Sequence, residues 1–293
     1  MKLAVFSLLF LSLSSCNYEN REVEVLQFPA HEIGDKTCIV GDIGTGKKKQ
    51  KKVAKLLKKE GCNRVRVTGD VIYPDGLKDE FDPLFHKNFY QHYSSILEDG
   101  VPFMLTMGNH DHYGNPNAWL GLNDKYENII FPNFWYAERH GDTCYINLDT
   151  NITYLPEHRS WMDNTLSDFK KSCKMILTIA HHPFRSSGEH GDAKLFNKQY
   201  FKKYIIGQVD AHFAGHDHHL SYEGQEKGTH MYITGAGAKL RDVDTVSYPK
   251  FSASRLGYLT LVYQRDGFNV EFISLDEDNE REVIFSNKIL RRK

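Results

Sequence analysis

The sequence predicts an α/β protein in which a mixed β core is covered by helices. In the first half of the chain, short apolar segments typical of strands alternate with amphipathic segments typical of helices, and in the second half the strands follow one another more closely. The chain has 293 residues, of which 40% are hydrophobic, so it can bury one large core, although two small domains would also fit this length. No internal repeat or second globular unit is visible in the sequence, and we expect one domain.

The elements can be assigned in order from apolar runs bounded by Gly, Asn, Asp and Pro. The predicted strands are residues 37–40, 64–68, 101–107, 144–149, 175–180, 210–214, 231–234, 258–264 and 268–273. Apolar residues recur at helical spacing in 47–60, 81–98 and 160–169, which we predict to be helices, and 114–132 is expected to be a loop with irregular helix. The Arg-Asp-Gly sequence at 265–267 indicates a hairpin between the last two strands.

The segment after the first strand nearly matches a nucleotide-binding P-loop, because Gly41 is followed by Gly46 and Lys47. The motif requires Ser or Thr at the next position to hold magnesium, and Lys48 stands there, which excludes a P-loop. The many lysines of helix 47–60 are interpreted as a solvated face, with attraction to an anionic membrane as the alternative. The formal net charge of −1 gives no general attraction to nucleic acid.

The first sixteen residues are typical of an export signal. Lys2 is followed by a mostly apolar stretch, 3–13, which is too short to span a membrane as a helix. It ends in Leu13-Ser14-Ser15-Cys16, which resembles a bacterial lipobox. We therefore predict a signal peptide at 1–16, a lipidated Cys16, a polar tether at 17–34 and the functional domain at 35–293. The protein would be an exported bacterial lipoprotein, anchored in the membrane and facing the periplasm or the cell surface. An ordinary signal peptide with an incidental cysteine is the alternative.

Four further cysteines, Cys38, Cys62, Cys144 and Cys173, form an even number in a compartment that permits disulfides. Four cysteines allow three pairings, between which the sequence does not decide. Buried free thiols remain an equal alternative, because Cys38 and Cys144 lie in apolar runs.

Five of the predicted strands end in short motifs that carry metal-ligand side chains. The motifs are Gly-Asp-x-Gly at 41–44, Gly-Asp-x-x-Tyr at 69–73, Gly-Asn-His-Asp at 108–111, His-His-Pro at 181–183 and Gly-His-x-His at 215–218. Their donor residues are Asp42, Asp70, Tyr73, Asn109, His181, His216 and His218. Oxygen and nitrogen donors of this kind suit iron, zinc or manganese. The ends of strands are a usual place for ligand-binding groups in α/β proteins, and we expect the motifs to converge on one two-metal site with Asp70 between the ions.

The five motifs in this order resemble those of the calcineurin-like metallophosphoesterases, and within them the purple acid phosphatases of the tartrate-resistant type. The resemblance covers residues 37 to about 237 and implies the calcineurin-like fold, a mixed β-sandwich core flanked by helices. Relatives outside the purple group have a metal-binding His at the position of Gly44. The resemblance implies that Tyr73 supplies the missing ligand and binds ferric iron.

The resemblance also implies the distribution of ligands. Metal one would be held by Asp42, Asp70, Tyr73 and His218, and metal two by Asp70, Asn109, His181 and His216. Ferric iron is expected at the Tyr73 position, and ferrous iron, zinc or manganese at the other. His190 is assigned as the general acid and His110 as the group that clamps the phosphate, with either able to protonate the leaving alcohol. Asp111 is expected to orient His110.

The function implied is hydrolysis of phosphomonoesters by attack of a metal-bound hydroxide, as in an acid phosphatase. Two alternatives remain open from the residues. One is a phosphodiesterase of the same superfamily, acting on cyclic nucleotides or phospholipid head groups and distinguished by the loops at 114–132 and 185–192. The other is a non-catalytic lipoprotein that binds phosphorylated ligands. The expected partners are a small phosphorylated substrate and, through Cys16, a membrane; no nucleic acid is expected, and the oligomeric state is left open.

Overall fold

The computed structural model describes residues 18–243 and 249–292, which form two mixed β-sheets packed face to face with helices on the outside. The predicted signal peptide and Cys16 lie outside these residues. The described part of the chain contains no helix with the length and apolar character needed to cross a membrane. The predicted fold class, a mixed β core flanked by helices, is confirmed.

Fifteen strands are present in the described residues. In chain order they are β1 (Leu26–Phe28), β2 (Lys36–Val40), β3 (Arg64–Thr68), β4 (Phe103–Thr106), β5 (Ile129–Ile130), β6 (Tyr136–His140), β7 (Thr143–Leu148), β8 (Met175–Ala180), β9 (Ala211–Ala214), β10 (Leu220–Glu226), β11 (Thr229–Thr234), β12 (Phe251–Ala253), β13 (Gly257–Gln264), β14 (Gly267–Leu275) and β15 (Arg281–Leu290).

The helices lie between the strands, mostly in the first two thirds of the chain. They are α1 (Lys48–Glu60), α2 (Gln91–Leu97), α3 (Asn109–Tyr113), α4 (Ala118–Lys125), α5 (Pro156–Ser172) and α6 (Leu195–Tyr204), and a π-helix, Phe85–Tyr90, leads directly into α2. The predicted helix 81–98 is thus divided between the π-helix and α2.

The parallel strands of the two sheets determine where a site can form. The larger sheet has the order β1-β6-β7-β8-β9-β11-β10-β12, and the smaller has β15-β14-β13-β2-β3-β4-β5. Strands β2 to β5 are parallel to one another, and so are β7, β8, β9 and β11. The loops that follow β2, β3 and β4 in one sheet meet those that follow β8 and β9 in the other, which places all five motifs at one edge of the sandwich.

The segment predicted as a tether lies against the domain wherever it is described. Strand β1 pairs in parallel with β6 at the edge of the larger sheet, and the Arg21 guanidinium binds the carboxylate of Asp124 at 2.9 Å. His31 is buried and lies 3.0 Å from the hydroxyl of Tyr145. Residues 26–28 thus extend the larger sheet by one short strand, in which Leu26 and Phe28 are half-buried and Gln27 is exposed.

All four remaining cysteines form disulfides. Cys38 pairs with Cys62 and Cys144 pairs with Cys173, each bridge linking a central strand to the segment after a neighbouring helix. The bridges close loops with sequence separations of 24 and 29 residues. In the chain-entropy model each closure stabilises the fold by about 3 kcal/mol.

One ion pair is buried between the sheets. Arg66 on β3 and Glu138 on β6 have side chains that are 0% exposed, and two parallel hydrogen bonds of 2.9 Å join the guanidinium to the carboxylate. Asn147 and His140 add hydrogen bonds to Glu138, and the guanidinium of Arg66 stacks on the ring of Tyr145. Burial alone would raise the pKa of Glu138, but Arg66 and His140 lower it from 4.5 to about 2.

We expect Glu138→Gln to lower the free energy of unfolding by roughly 3–5 kcal/mol at pH 7, because it leaves the Arg66 charge buried without its partner. A carboxylate whose pKa is depressed by folding stabilises above its unfolded value and loses that contribution as pH falls through the folded value. The difference in free energy of unfolding between wild type and variant should therefore decrease as the pH falls from 4.5 towards 2. Urea denaturation at pH 7 and pH 3.5 measures it, with the exposed Glu127→Gln as control. A difference in free energy of unfolding that does not change with pH would contradict a lowered pKa of Glu138 in the ion pair with Arg66.

Candidate metal centre

The seven predicted donor residues meet at the edge of the sandwich where the parallel strands end. Asp42, Asp70 and Asn109 follow β2, β3 and β4 of the smaller sheet. His181 directly follows β8, and His216 and His218 lie between β9 and β10 of the larger sheet. Tyr73 reaches the same place from the turn after β3. Each sheet thus contributes donors to one shared site.

Three of these residues have left-handed backbone conformations. The φ angles are 59° at Asp42, 51° at Asp70 and 71° at His216. Side chains other than glycine seldom adopt this region, and such strain is concentrated at functional sites. Hydrogen bonds between the turns hold the conformations in place: Asp42 N donates to Gly69 O at 3.0 Å, and His216 N donates to Asp42 Oδ2 at 3.0 Å. The backbone is fixed so that the side chains point towards each other.

The first donor group surrounds the phenol of Tyr73. Its oxygen lies 2.8 Å from Asp42 Oδ1, 2.7 Å from Asp70 Oδ2 and 3.2 Å from His218 Nε2. A phenol carries one proton, so it can satisfy one of the two carboxylate oxygens at a time. These are the four residues expected at metal one.

The second donor group contains an amide oxygen and two ring nitrogens. Asn109 Oδ1 lies 3.1 Å from His181 Nε2 and 3.1 Å from His216 Nδ1, and the two ring nitrogens are 3.2 Å apart. His181 donates its Nδ1 proton to the carbonyl of Thr68 at 2.8 Å, so Nε2 is the ring nitrogen that faces Asn109 and His216. Asp70 Oδ1 lies 3.4 Å from the same nitrogen, which puts Asp70 between the two groups.

The electrostatics of both groups fit a cation. Burial, and then the charge of Asp70, raises the pKa of Asp42 from 3.8 to about 8, as expected for a carboxylate without a counter-charge. Burial, followed by the charges of His181 and His182, lowers the pKa of His216, which keeps that imidazole neutral. A buried carboxylate whose ionisation is unfavourable, such as Asp42, and a neutral imidazole, such as that of His216, are what iron, zinc or manganese ions bind. The residues present therefore fit two metal ions.

Two glycines explain how the chain makes room for this packing. A Cβ atom on Gly108 would lie 2.1 Å from Asp70 Oδ1. At Gly44, where relatives outside the purple group have a ligating His, a Cβ would lie 1.8 Å from the carbonyl oxygen of Val71. This contact excludes any side chain at position 44. In the same turn the Gly44 carbonyl accepts a hydrogen bond from the backbone N–H of Tyr73 at 2.9 Å, so the backbone that positions Tyr73 requires glycine there.

The two candidate catalytic histidines flank the donor groups. His110 lies above Tyr73, with ring centroids 4.4 Å apart, and its Nδ1 contacts the carbonyl of Pro74. His190 stacks on His216, with centroids 4.2 Å apart, and its Nε2 accepts a hydrogen bond from Arg241 Nη1 at 2.6 Å. Burial lowers the pKa of His190.

The sequence predicts that Asp111 orients the ring of His110, but its carboxylate has other partners in the structure. Its carboxylate accepts hydrogen bonds from the backbone N–H groups of Gly108 at 2.9 Å, Val71 at 3.1 Å and Ile72 at 3.0 Å. It therefore ties the turn after β4 to the turn after β3, and acts on the backbone that carries Asp70.

Sequence reasoning missed two cations at the site, Lys239 and Arg241. Lys239 Nζ lies 3.3 Å from the centroid of the Tyr73 ring, on the face of the phenol. Arg241 contacts His190. Both lie shortly after the predicted strand 231–234 and the Gly-Ala-Gly sequence at 235–237, and basic residues this close to a strand end were the available signal.

A cavity of about 380 Å³ opens beside the second donor group. Its lining includes Asn109 and His216, together with Tyr113, His182 and His190, and the loop residues at 191–194. The substrate-sized space is therefore next to the position expected for metal two.

Comparisons with known proteins agree on one family. The family model for calcineurin-like phosphoesterases matches residues 36–220, which is more than half of the chain. Tartrate-resistant acid phosphatase type 5 of Sus scrofa is 27% identical over 64% of this chain and 62% of its own length. Purple acid phosphatase 17 of Arabidopsis thaliana is 28% identical over 75% of this chain and 73% of its own. The chain spans less than two thirds of the length of the tartrate-resistant relatives it matches.

Solved structures share the fold. A Plasmodium structure described as GAP50, the anchor in the inner membrane complex, superposes with a TM-score of 0.76 at 24% identity, covering 89% of this chain and 90% of that one. A dimetal phosphatase from Danio rerio has a TM-score of 0.57 at 12% identity, covering 88% and 99%. At these identities the likeness is one of fold alone.

In chelator-treated protein at pH 7, we expect Asp42→Asn to raise the free energy of unfolding by roughly 1–3 kcal/mol, because it removes an uncompensated buried acid. A group whose pKa is raised by folding contributes stability below its unfolded value and loses it as pH rises through the folded value. The free energy of unfolding of the variant should therefore exceed that of the wild type by an amount that increases between pH 4 and pH 8. Urea denaturation over that range measures it.

The exposed Asp278→Asn serves as the control for this experiment, and its stability should follow that of the wild type. A metal-free Asp42→Asn protein that is less stable than the wild type would show that the carboxylate is satisfied without a cation.

Proposed function

The chain belongs to the calcineurin-like phosphoesterase family, and on this premise we propose that it is a binuclear-metal acid phosphatase that hydrolyses phosphomonoesters. The observation that carries the proposal is the contact of the Tyr73 phenol with Asp42, Asp70 and His218 at 2.7 to 3.2 Å. A phenol in this position, with glycine at 44, is the feature on which the likeness to purple acid phosphatases rests.

The donor sets support two different ions. Asp42, Asp70, Tyr73 and His218 would hold the first, and the phenol oxygen and carboxylates favour ferric iron. Asp70, Asn109, His181 and His216 would hold the second, which is ferrous iron, zinc or manganese. When bound, such a pair activates water and neutralises the charge of the phosphate.

The remaining steps fall to side chains around the two donor groups. His110 lies above the Tyr73 ring and donates through Nδ1 to the Pro74 carbonyl, so its Nε2 would donate to a phosphate oxygen only when the ring carries a second proton. We assign protonation of the leaving alcohol to His190. Because its Nε2 accepts from Arg241, His190 must donate through Nδ1 or release that hydrogen bond. The Lys239 ammonium adds positive charge on the Tyr73 side of the site.

We also propose that the protein acts on the exported side of a bacterial membrane, anchored through a lipid on Cys16. The two disulfides support this location, because bridges of this kind persist in oxidising compartments. Labelling of Cys16 by a fatty acid in cells, and its loss in Cys16→Ser, tests the anchor.

We expect His181→Ala and Asp70→Ala to abolish hydrolysis of a phosphomonoester such as p-nitrophenyl phosphate, since each removes a donor to the second ion. His190→Ala should lower kcat by roughly 10²–10⁴-fold through loss of the proton donor. Steady-state kinetics on the chain from residue 18 measure both, with the exposed His86→Ala as control.

The same assay with bis-p-nitrophenyl phosphate separates monoester from diester hydrolysis. Faster diester turnover would move the protein to the phosphodiesterase alternative. A metal-loaded protein that hydrolyses neither substrate would contradict the proposal that the protein is an enzyme. The alternative of a non-catalytic protein that binds phosphorylated ligands would then remain.

The identity of metal one is tested by visible absorption of iron-loaded protein. We expect a charge-transfer band that Tyr73→Phe removes, because that change deletes the phenol oxygen and keeps the ring. Tyr113→Phe is the matched control: its hydroxyl accepts a 3.2 Å hydrogen bond from Asn109 Nδ2 but lies outside the first donor group. A band that survives in Tyr73→Phe contradicts the ferric–tyrosinate assignment.

A further inference from the structure

Large apolar side chains are exposed at the mouth of the candidate site. In residues 18–243 and 249–292, eight large hydrophobic side chains are classed as exposed: Ile33, Phe81, Tyr113, Tyr154, Leu195, Phe196, Val283 and Leu290. Four of them, Tyr113, Tyr154, Leu195 and Phe196, line two neighbouring cavities. Single exposed apolar residues are ordinary, but a group of them beside a cavity indicates a binding surface.

The second of these cavities is larger than the one beside the metal centre. Its volume is about 600 Å³, and its walls come from two segments: Thr150, Asn151, Thr153 and Tyr154 after β7, and Lys194, Leu195, Phe196 and Asn197 at the start of α6. Leu195 is 69% exposed and Phe196 is 70% exposed. Both side chains are therefore largely exposed to solvent, although α6 has a buried face that includes Tyr200 and Phe201.

The two cavities are adjacent. His182, Lys194 and Asn197 line both of them. Asn197 Oδ1 accepts a 2.8 Å hydrogen bond from Thr153, and Asn197 Nδ2 donates to the carbonyl of Thr150 at 3.1 Å, so the wall they share is held in place. A ligand that occupies the space beside Asn109 and His216 can extend past this wall onto Leu195 and Phe196.

We propose that this apolar cavity is the subsite for the alcohol portion of the substrate, and that the preferred substrates are phosphomonoesters whose alcohol carries an extended alkyl group. The inference rests on the proposed function and specifies its substrate class. The phosphate occupies the cavity beside the metal centre, and the chain lies on Tyr154, Leu195 and Phe196. Burial of each methylene group there is worth about threefold to fourfold in affinity.

Ethyl phosphate and hexyl phosphate test the subsite, because both release a primary alcohol of similar reactivity and differ by four methylene groups. We expect kcat/KM to be at least tenfold higher for hexyl phosphate in the wild type. Phe196→Ser and Leu195→Ser should reduce that ratio to about threefold or less, chiefly by lowering kcat/KM for hexyl phosphate. Phe81→Ser is the matched control, because Phe81 is 75% exposed and lines neither cavity.

Binding of ethylphosphonate and hexylphosphonate by calorimetry separates this proposal from the proposed function. If neither phosphate is hydrolysed but hexylphosphonate binds at least tenfold more tightly and loses that advantage in Phe196→Ser, the subsite stands and the phosphatase proposal falls. If ethyl phosphate and hexyl phosphate are hydrolysed with equal kcat/KM, the proposed subsite is overturned. It is also overturned if the Leu195 and Phe196 variants keep the wild-type ratio of the two kcat/KM values.

Discussion

The structure depends on holding two buried carboxylates, Asp42 and Asp70, against a single phenol and the imidazoles of His181, His216 and His218. Such an arrangement is unfavourable without a cation, because no proton is available for several of the facing acceptors. The fold maintains it by rigid means. The donors sit at the ends of central parallel strands, Asp111 ties two of the turns together through their backbone N–H groups, and glycines remove the side chains that would hold the turns apart.

Much of the fold and of the site could be predicted from the sequence, for local reasons. Strand β8 matches its predicted bounds because Met175–Ala180 is a run of residues that are apolar except for Thr178, and His181 follows it directly. The five motif strands are similarly marked by glycine and polar residues at their ends. The donor residues share one place because parallel strands that carry them end at one edge, which follows from the pattern once the order of motifs is known.

The parts that could not be predicted depend on long-range contacts. Strand β6 contains Glu138 and Arg139 and looks polar, yet Glu138 is buried because Arg66 of the other sheet neutralises it. Strand β15 alternates exposed and partly buried residues at an edge, where pairing with β14 decides the conformation. Lys239 and Asp111 acquire their roles from turns that only the folded chain brings near. The sequence also leaves the cysteine pairing open, which the positions of β2 and β7 decide.

Both donor groups take residues from both sheets. Asp42 and Asp70 of the first group come from the smaller sheet and His218 from the larger; Asn109 of the second comes from the smaller sheet and His181 and His216 from the larger. An ion in either position would therefore cross-link the two halves of the sandwich as well as serve chemistry. Metal supply would then govern the lifetime of the protein: a chain that folds without metal would have a looser edge between its sheets, and proteases would remove it before it accumulates as an inactive form.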